Sequence, residues 1–79
     1  MNQSTTDIDI EKREMDKILS QLSEIIDISE LTFDSAHNWK GYGMFCTYVY
    51  FSRKDGSVLE VSLRNNYDIY PKSLRTVKK

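Results

Sequence analysis

Hydrophobic positions in the first third of the chain recur at helical spacing. Between Asp7 and Asp27 seven apolar side chains recur at spacings of three, four and seven residues, some of them as adjacent pairs: Ile8, Met15, Ile18, Leu19, Leu22, Ile25 and Ile26. At about 100° per residue they form one stripe about 120° wide. No glycine or proline interrupts the segment. The pattern predicts an amphipathic helix over residues 7–27, capped by Thr6 or Asp7, after a disordered tail over residues 1–6.

From Phe45 to Leu63 the pattern changes to the alternation that is typical of a β-hairpin. A three-residue loop, Lys54-Asp55-Gly56, gives one consistent apolar face, whereas a two-residue loop would mix the two faces. The predicted register has four pairs: Arg53 with Ser57, Phe51 with Leu59, Val49 with Val61, and Thr47 with Leu63. We therefore expect Phe45, Val49 and Phe51 to face the core.

Shorter signals complete the predicted fold. Residues 30–35 indicate a first strand with Leu31 and Phe33 facing inward, and residues 36–43 indicate a loop. In the tail from Asn65 to Lys79, Pro71 either opens a short helical turn or ends an extended edge. We expect a single α+β domain over residues 7–79. In it an N-terminal amphipathic helix packs on a three-stranded antiparallel β-meander, followed by a short C-terminal turn or helix.

The other face of the hairpin is aromatic and polar together. In the predicted register it carries Tyr48 and Tyr50, with Glu60 and Arg64 on the facing strand. Tryptophan, tyrosine and arginine dominate binding hot spots, so the preceding loop contributes two further candidates. The candidate partner-binding residues are Trp39, Tyr42, Tyr48, Tyr50, Glu60 and Arg64.

The residues that carry most enzyme chemistry are scarce. Cys46 and His37 are the only cysteine and histidine, and no third group to orient them is evident. A structural zinc site needs four ligands. The Gly41-Tyr42-Gly43 stretch lacks the third glycine and the following helix of a phosphate-binding loop. We expect no catalytic residues, no metal and no cofactor, and hence a non-enzymatic protein.

Composition bounds the location and the partners. The chain has 79 residues and one cysteine, so an intrachain disulfide is excluded. No apolar run approaches the ~18 residues of a membrane span, and the N-terminus lacks a signal-peptide pattern. We expect a cytoplasmic protein that does not bind membranes. Eight acids and three bases give residues 7–30 a net charge of −5, while the remainder has +4. This asymmetry indicates either attraction between packed elements or a charged partner.

These observations favour a small protein-binding module that acts as an inhibitor or adaptor by occupying a partner's surface. Compact inhibitors of the kind that phages and mobile elements encode, such as anti-CRISPR proteins, have this size and lack of chemistry. A first alternative is a nucleic-acid accessory protein that uses the exposed tyrosines together with the basic residues Lys72, Arg75, Lys78 and Lys79, although a pI of about 5.7 argues against it. A second is a self-assembling structural protein, which forms a homodimer by helix pairing or by joined sheet edges.

Overall fold

The computed structural model describes residues 4–64 and 67–77 as one helix packed on a five-stranded antiparallel sheet. The elements are β1 (Ser4–Asp7), α1 (Lys12–Ser23), β2 (Thr32–Gly41), β3 (Met44–Ser52), β4 (Val58–Leu63), a 3-10 turn (Pro71–Ser73) and β5 (Arg75–Val77). The strands lie in sequence order across the sheet. The predicted α+β class is confirmed, but the sheet has two more strands than predicted.

The hairpin between β3 and β4 has the predicted register. Thr47, Val49 and Phe51 pair with Leu63, Val61 and Leu59. In the turn the Arg53 amide donates to the Ser57 carbonyl at 2.9 Å. Gly56 has a φ of +91°, which is the left-handed conformation that a three-residue hairpin loop requires. The pairing predicted from the need to keep one face apolar is therefore confirmed.

The helix is shorter than the apolar stripe predicted. It starts after Glu11, whose amide donates to the Glu14 carboxylate at 3.2 Å, so the prediction of a cap at Thr6 or Asp7 is wrong. Ile8 and Ile26 still pack against the core, but from the segments that flank the helix. Residues 4–6, predicted to be disordered, belong to β1, and residues 1–3 lie outside the described part of the chain.

Strand β2 is longer than predicted, and the predicted loop over residues 36–43 is wrong. β2 continues to Gly41 and joins β3 through Tyr42 and Gly43. Their φ values of +50° and +74° are those of a two-residue type I′ turn. A bulge between Phe33 and Ser35 shifts the register, so that Ala36 lies opposite Val49.

The core lies between the helix and the middle of the sheet. Its buried members are Ile18, Leu22, Ala36, Val49, Phe51, Leu59, Val61, Leu63 and Ile69. Burying each large member is worth about 1.5–3 kcal/mol before the loss of chain entropy. Phe33 and Phe45, predicted to face the core, are 41% and 59% exposed. The helix side chains at the centre of the core are Ile18 and Leu22, and both phenylalanines lie outside the buried cluster.

The C-terminal segment is held by the helix and by β4. The side-chain amide of Gln21 makes two hydrogen bonds of 3.0 Å. Its Nε2 donates to the Tyr67 carbonyl, and its Oε1 accepts from the backbone amide of Ile69. Pro71 opens the 3-10 turn, one of the two predicted outcomes, and β5 then pairs with β4.

The ion pair between helix and tail joins Lys17 to Asp68 at 3.1 Å. In this pair the cation lies on the net-acidic segment and the anion on the net-basic one, which is the opposite of what the net charges of the two segments suggest. No helix within the described residues has the length and apolarity that crossing a membrane requires.

Candidate interaction surfaces

The sheet face opposite the helix, here called the outer face, carries both central tyrosines. Because side chains alternate along a strand, the burial of Val49 and Phe51 under the helix directs Tyr48 and Tyr50 to the outer face. Pairing continues this face across the sheet. Tyr48 lies between His37 and Ser62. The predicted polarity of β3 is therefore correct, and both rings are half-buried rather than fully exposed.

The His37 ring stacks on Tyr50 and makes a tilted contact with Tyr48. Its ring centroid lies 5.4 Å from that of Tyr48 and 5.5 Å from that of Tyr50, with interplanar angles of 42° and 27°. The imidazole thereby joins β2 to β3 through ring contacts. Sequence analysis placed His37 in a loop and did not include it in the candidate surface. The only signal for its position was the continuation of β2 past Ser35.

Glu60 lies in the middle of the outer face, and each of its carboxylate oxygens accepts a hydrogen bond. The Tyr50 hydroxyl donates to its Oε2 at 2.9 Å, and Arg75 Nε donates to its Oε1 at 2.7 Å. The Glu60 side chain is only 11% exposed. Burial, followed by the hydrogen bond to Glu60, raises the pKa of Tyr50 to about 12. Both carboxylate oxygens of Glu60 are therefore hydrogen-bonded within the chain.

Trp39 and Cys46 lie opposite each other next to the tyrosines, near the turn that joins β2 to β3. Burial, followed by the proximity of Cys46, raises the pKa of Tyr48. Among residues 4–64 and 67–77, no group of three or more histidine, cysteine or carboxylate side chains is placed to hold a metal ion. The outer face thus presents aromatic rings with a few polar atoms.

Arg64 and Tyr70 form a second pair on this face. The Arg64 guanidinium carbon lies 4.0 Å above the centre of the Tyr70 ring. The Tyr70 amide donates to the Ser62 carbonyl at 3.0 Å, which holds the ring beside the end of β4. Sequence analysis did not select Tyr70. Its position after the buried Ile69 was the signal that would have placed it on the outer face.

The structure brings together five of the six predicted partner-binding residues on the outer face: Trp39, Tyr48, Tyr50, Glu60 and Arg64. Tyr42 lies apart from them, in the turn between β2 and β3. Of the predicted nucleic-acid contacts, Lys72 is exposed and Arg75 is paired with Glu60. Lys78 and Lys79 lie outside the described residues.

The inner face, on the helix side, has an open concavity of about 390 Å³ towards the turn between β2 and β3. Its lining includes Asp9, Asn38, Phe45, Thr47 and Tyr67, and Arg64 at the end of β4 also contributes to it. The Thr47 hydroxyl donates to the Asn38 side-chain oxygen at 2.7 Å across the two central strands. A second concavity of about 350 Å³ follows the turn beside Lys40 and Tyr42, and Phe45 lines both.

Comparison of the chain with protein-family models, with curated proteins and with solved structures found no match. The functional argument therefore depends on the two surfaces described above.

Proposed function

We propose that this chain is a small protein-binding module that acts as an inhibitor or adaptor, and that it binds its partner through the outer face. The observation that carries the proposal is the concentration of Trp39, Tyr48, Tyr50 and Tyr70, with Arg64, on one face of the sheet. These residue types supply most of the binding energy in protein interfaces because they combine a large apolar surface with a hydrogen-bonding or charged group.

The outer face is also organised before any partner binds. His37 holds the two central rings, and Glu60 is fixed between Tyr50 and Arg75. A rigid aromatic surface loses little side-chain entropy on binding, which favours affinity. A module of this kind acts by covering a surface of its partner, without chemistry of its own.

The test is quantitative affinity capture with the full chain in a lysate of the cells that naturally produce it. Trp39→Ala and Arg64→Ala remove candidate anchors without touching the bond between Tyr50 and Glu60. Ile25→Ala is the matched control, because Ile25 is an exposed apolar residue near the helix end.

A partner lost with both outer-face variants and retained with Ile25→Ala supports the proposal. Binding of that purified partner should then weaken by about tenfold or more for each variant, the range of a hot-spot residue. If all variants recover the same proteins in the same amounts, the outer face is not the binding surface.

A further inference from the structure

The end of the hairpin that β2 and β3 form carries large apolar side chains in solvent. Tyr42, Met44 and Phe45 are 71%, 58% and 59% exposed, the three highest values among the large hydrophobic residues that the structure describes. Tyr42 takes part in an interaction within the chain, and most of its surface is accessible all the same. Single exposed apolar residues are ordinary, but a group of them at neighbouring positions marks a contact surface. Residues 40–45 are here called the hairpin tip.

The three side chains leave the hairpin tip in different directions. Val49 is buried under the helix. Strand alternation therefore directs Phe45 to the inner face and Met44 to the outer face. Tyr42 lies in the turn between the two strands. A flat partner surface covers only one side of a hairpin, whereas a lipid interface surrounds an inserted tip and covers all three side chains at once.

The hairpin of β2 and β3 is also poor in negative charge. Residues 35–54 include no aspartate or glutamate, and Lys40 is an exposed cation at the tip. The carboxylate of the neighbouring strand β1 belongs to Asp7, which pairs with His37. At the rise of a β-strand, this pair lies roughly 15 Å from the turn. The surface of a membrane with anionic lipids attracts lysines close to it, so the charge at the tip favours such a membrane.

The one carboxylate in the linings of the two concavities is accompanied by cations. Asp9 shares the lining of the larger concavity with Phe45, and Arg64 contributes to the same lining. Lys40 lines the smaller concavity, which also borders Phe45. Around this ring the two cations therefore outnumber the single anion.

Trp39 lies where an inserted tip would meet the aqueous phase. It is on the outer face opposite Cys46, about 10 Å from the turn at the rise of a strand. Interfacial segments bury their apolar side to a depth of about 5–10 Å. At that depth the lipid covers Tyr42, Met44 and Phe45, and the indole lies at the boundary. Tryptophan and tyrosine are enriched at this boundary because their rings are apolar with one polar group.

We infer that the hairpin tip inserts into the interface of a membrane that contains anionic lipids, with Lys40 beside the lipid phosphates. The insertion is shallow, because the hydrocarbon core does not tolerate the unpaired backbone groups of a turn. The expectation of no membrane binding depends on the absence of a spanning run, and insertion at the interface needs no such run. The inference requires no protein partner and is independent of the proposed function of the outer face.

The experiment measures binding of the full chain, at low salt, to phosphatidylcholine vesicles with and without about 30% phosphatidylserine. Trp39 is the only tryptophan, so its fluorescence reports on the hairpin tip. On the anionic vesicles its emission should shift to shorter wavelength, and lipids brominated in the upper part of their acyl chains should quench it. Binding to the neutral vesicles should be about fivefold weaker or less tight still, because the attraction to the lysine is lost.

Substitutions at the tip separate apolar insertion from charge attraction. Phe45→Ser and Met44→Ser should each weaken binding to both kinds of vesicle by about tenfold. Lys40→Gln should weaken binding to the anionic vesicles by about fivefold and leave binding to the neutral ones unchanged. Ile25→Ser is the matched control, because it removes an exposed apolar side chain elsewhere and should bind as the original chain does. Near-ultraviolet circular dichroism checks that each variant is folded.

Quenched fluorescence on the anionic vesicles, together with weaker binding of Phe45→Ser and Met44→Ser, supports the inference. It is overturned if the chain binds neither kind of vesicle at millimolar lipid, the range in which weak interfacial binding is measurable. Tip variants that bind as the original chain does, or binding without quenching, also overturn it, since both indicate adsorption by charge alone. A purified protein whose binding is lost with Met44→Ser, from a chain that does not bind vesicles, would show that the tip enters a cleft of that protein instead.

Discussion

Replacing Tyr50 with phenylalanine tests whether the outer face depends on the hydroxyl that reaches Glu60. The change removes the 2.9 Å hydrogen bond to Glu60 Oε2 and keeps the ring. Oε1 already accepts from Arg75, and the Glu60 side chain is 11% exposed, so Oε2 has little access to water as a substitute. A hydrogen bond to a charged group contributes about 1.5–3 kcal/mol. Because the tyrosine is only half-buried, we expect a loss of about 1–2 kcal/mol at pH 8.

The same bond makes stability fall in alkaline solution. Burial and the hydrogen bond to Glu60 raise the pKa of Tyr50 in the folded state from its ordinary value of 10.0 to about 12. Below pH 10 the hydroxyl is protonated in both states, and its contribution is complete. Between pH 10 and 12 the unfolded chain loses this proton while the folded chain keeps it, so the free energy of unfolding decreases as pH rises. The full shift corresponds to about 2.7 kcal/mol, which solvent screening reduces to about 1 kcal/mol for a partly exposed ring.

Urea unfolding at pH 8 and at pH 11.5 measures both effects, followed by the fluorescence of the single tryptophan. Comparing the original chain with Tyr50→Phe at each pH cancels the titration of lysines and of the other tyrosines. The stability difference between the two proteins should shrink at the higher pH. Tyr70→Phe is the control, because the described contacts of Tyr70 use its ring and backbone. A difference below about 0.5 kcal/mol at pH 8, or one that is equal at both pH values, would refute the reasoning.

Two further predictions concern the links that hold the sheet and its tail. Gln21→Ala leaves the Tyr67 carbonyl and the Ile69 amide without their partner. We expect the free energy of unfolding to fall by about 1–2 kcal/mol and hydrogen exchange at Ile69 to become faster. Unchanged exchange at Ile69 would contradict the prediction. Gly56→Ala should cost about 1 kcal/mol and Gly56→Asn less, measured by thermal unfolding, because φ is +91° and the Cβ meets no atom; equal melting temperatures for both variants would argue against a backbone origin.

The hairpin of β3 and β4 could be predicted in detail because its register obeys a strict constraint. Any slip of one residue would move Val49 and Phe51 from the core to the outer face. The polarity of Tyr48 and Tyr50 follows from the same constraint. These elements were accessible from the sequence because their local pattern and their tertiary burial agree.

The edge strands could not be predicted in the same way. β1 consists of four exposed residues without an apolar member, and its pairing depends on the length of β2. β5 has three residues and reaches β4 only after the turn at Pro71. The helix was predicted too long for a related reason. Ile8 and Ile26 contact the core as helical residues would. A pattern of apolar positions does not show whether such a side chain belongs to a helix or to the segment beside it.

Two predicted partner-binding residues, Glu60 and Tyr42, have surroundings that the sequence did not indicate, for the same reason. Glu60 is a predicted partner contact, and the sequence did not indicate its hydrogen bond to Arg75, which forms because β5 pairs with β4. Tyr42 was grouped with Trp39 because both belonged to a predicted loop. In a continuous strand that ends in a type I′ turn, alternation sends Trp39 to the outer face and leaves Tyr42 in the turn.

The extension of β2 connects the two surfaces physically. Residues 36–41 form one strand, so neighbouring residues project to opposite faces. His37 and Trp39 belong to the outer face, whereas Asn38 and Lys40 belong to the inner one. Because the same stretch of backbone supports the outer and the inner face, a change that disrupts the hairpin of β2 and β3 must damage both faces. A side-chain substitution that preserves the strand, such as Trp39→Ala, therefore tests the outer face without disrupting the inner one.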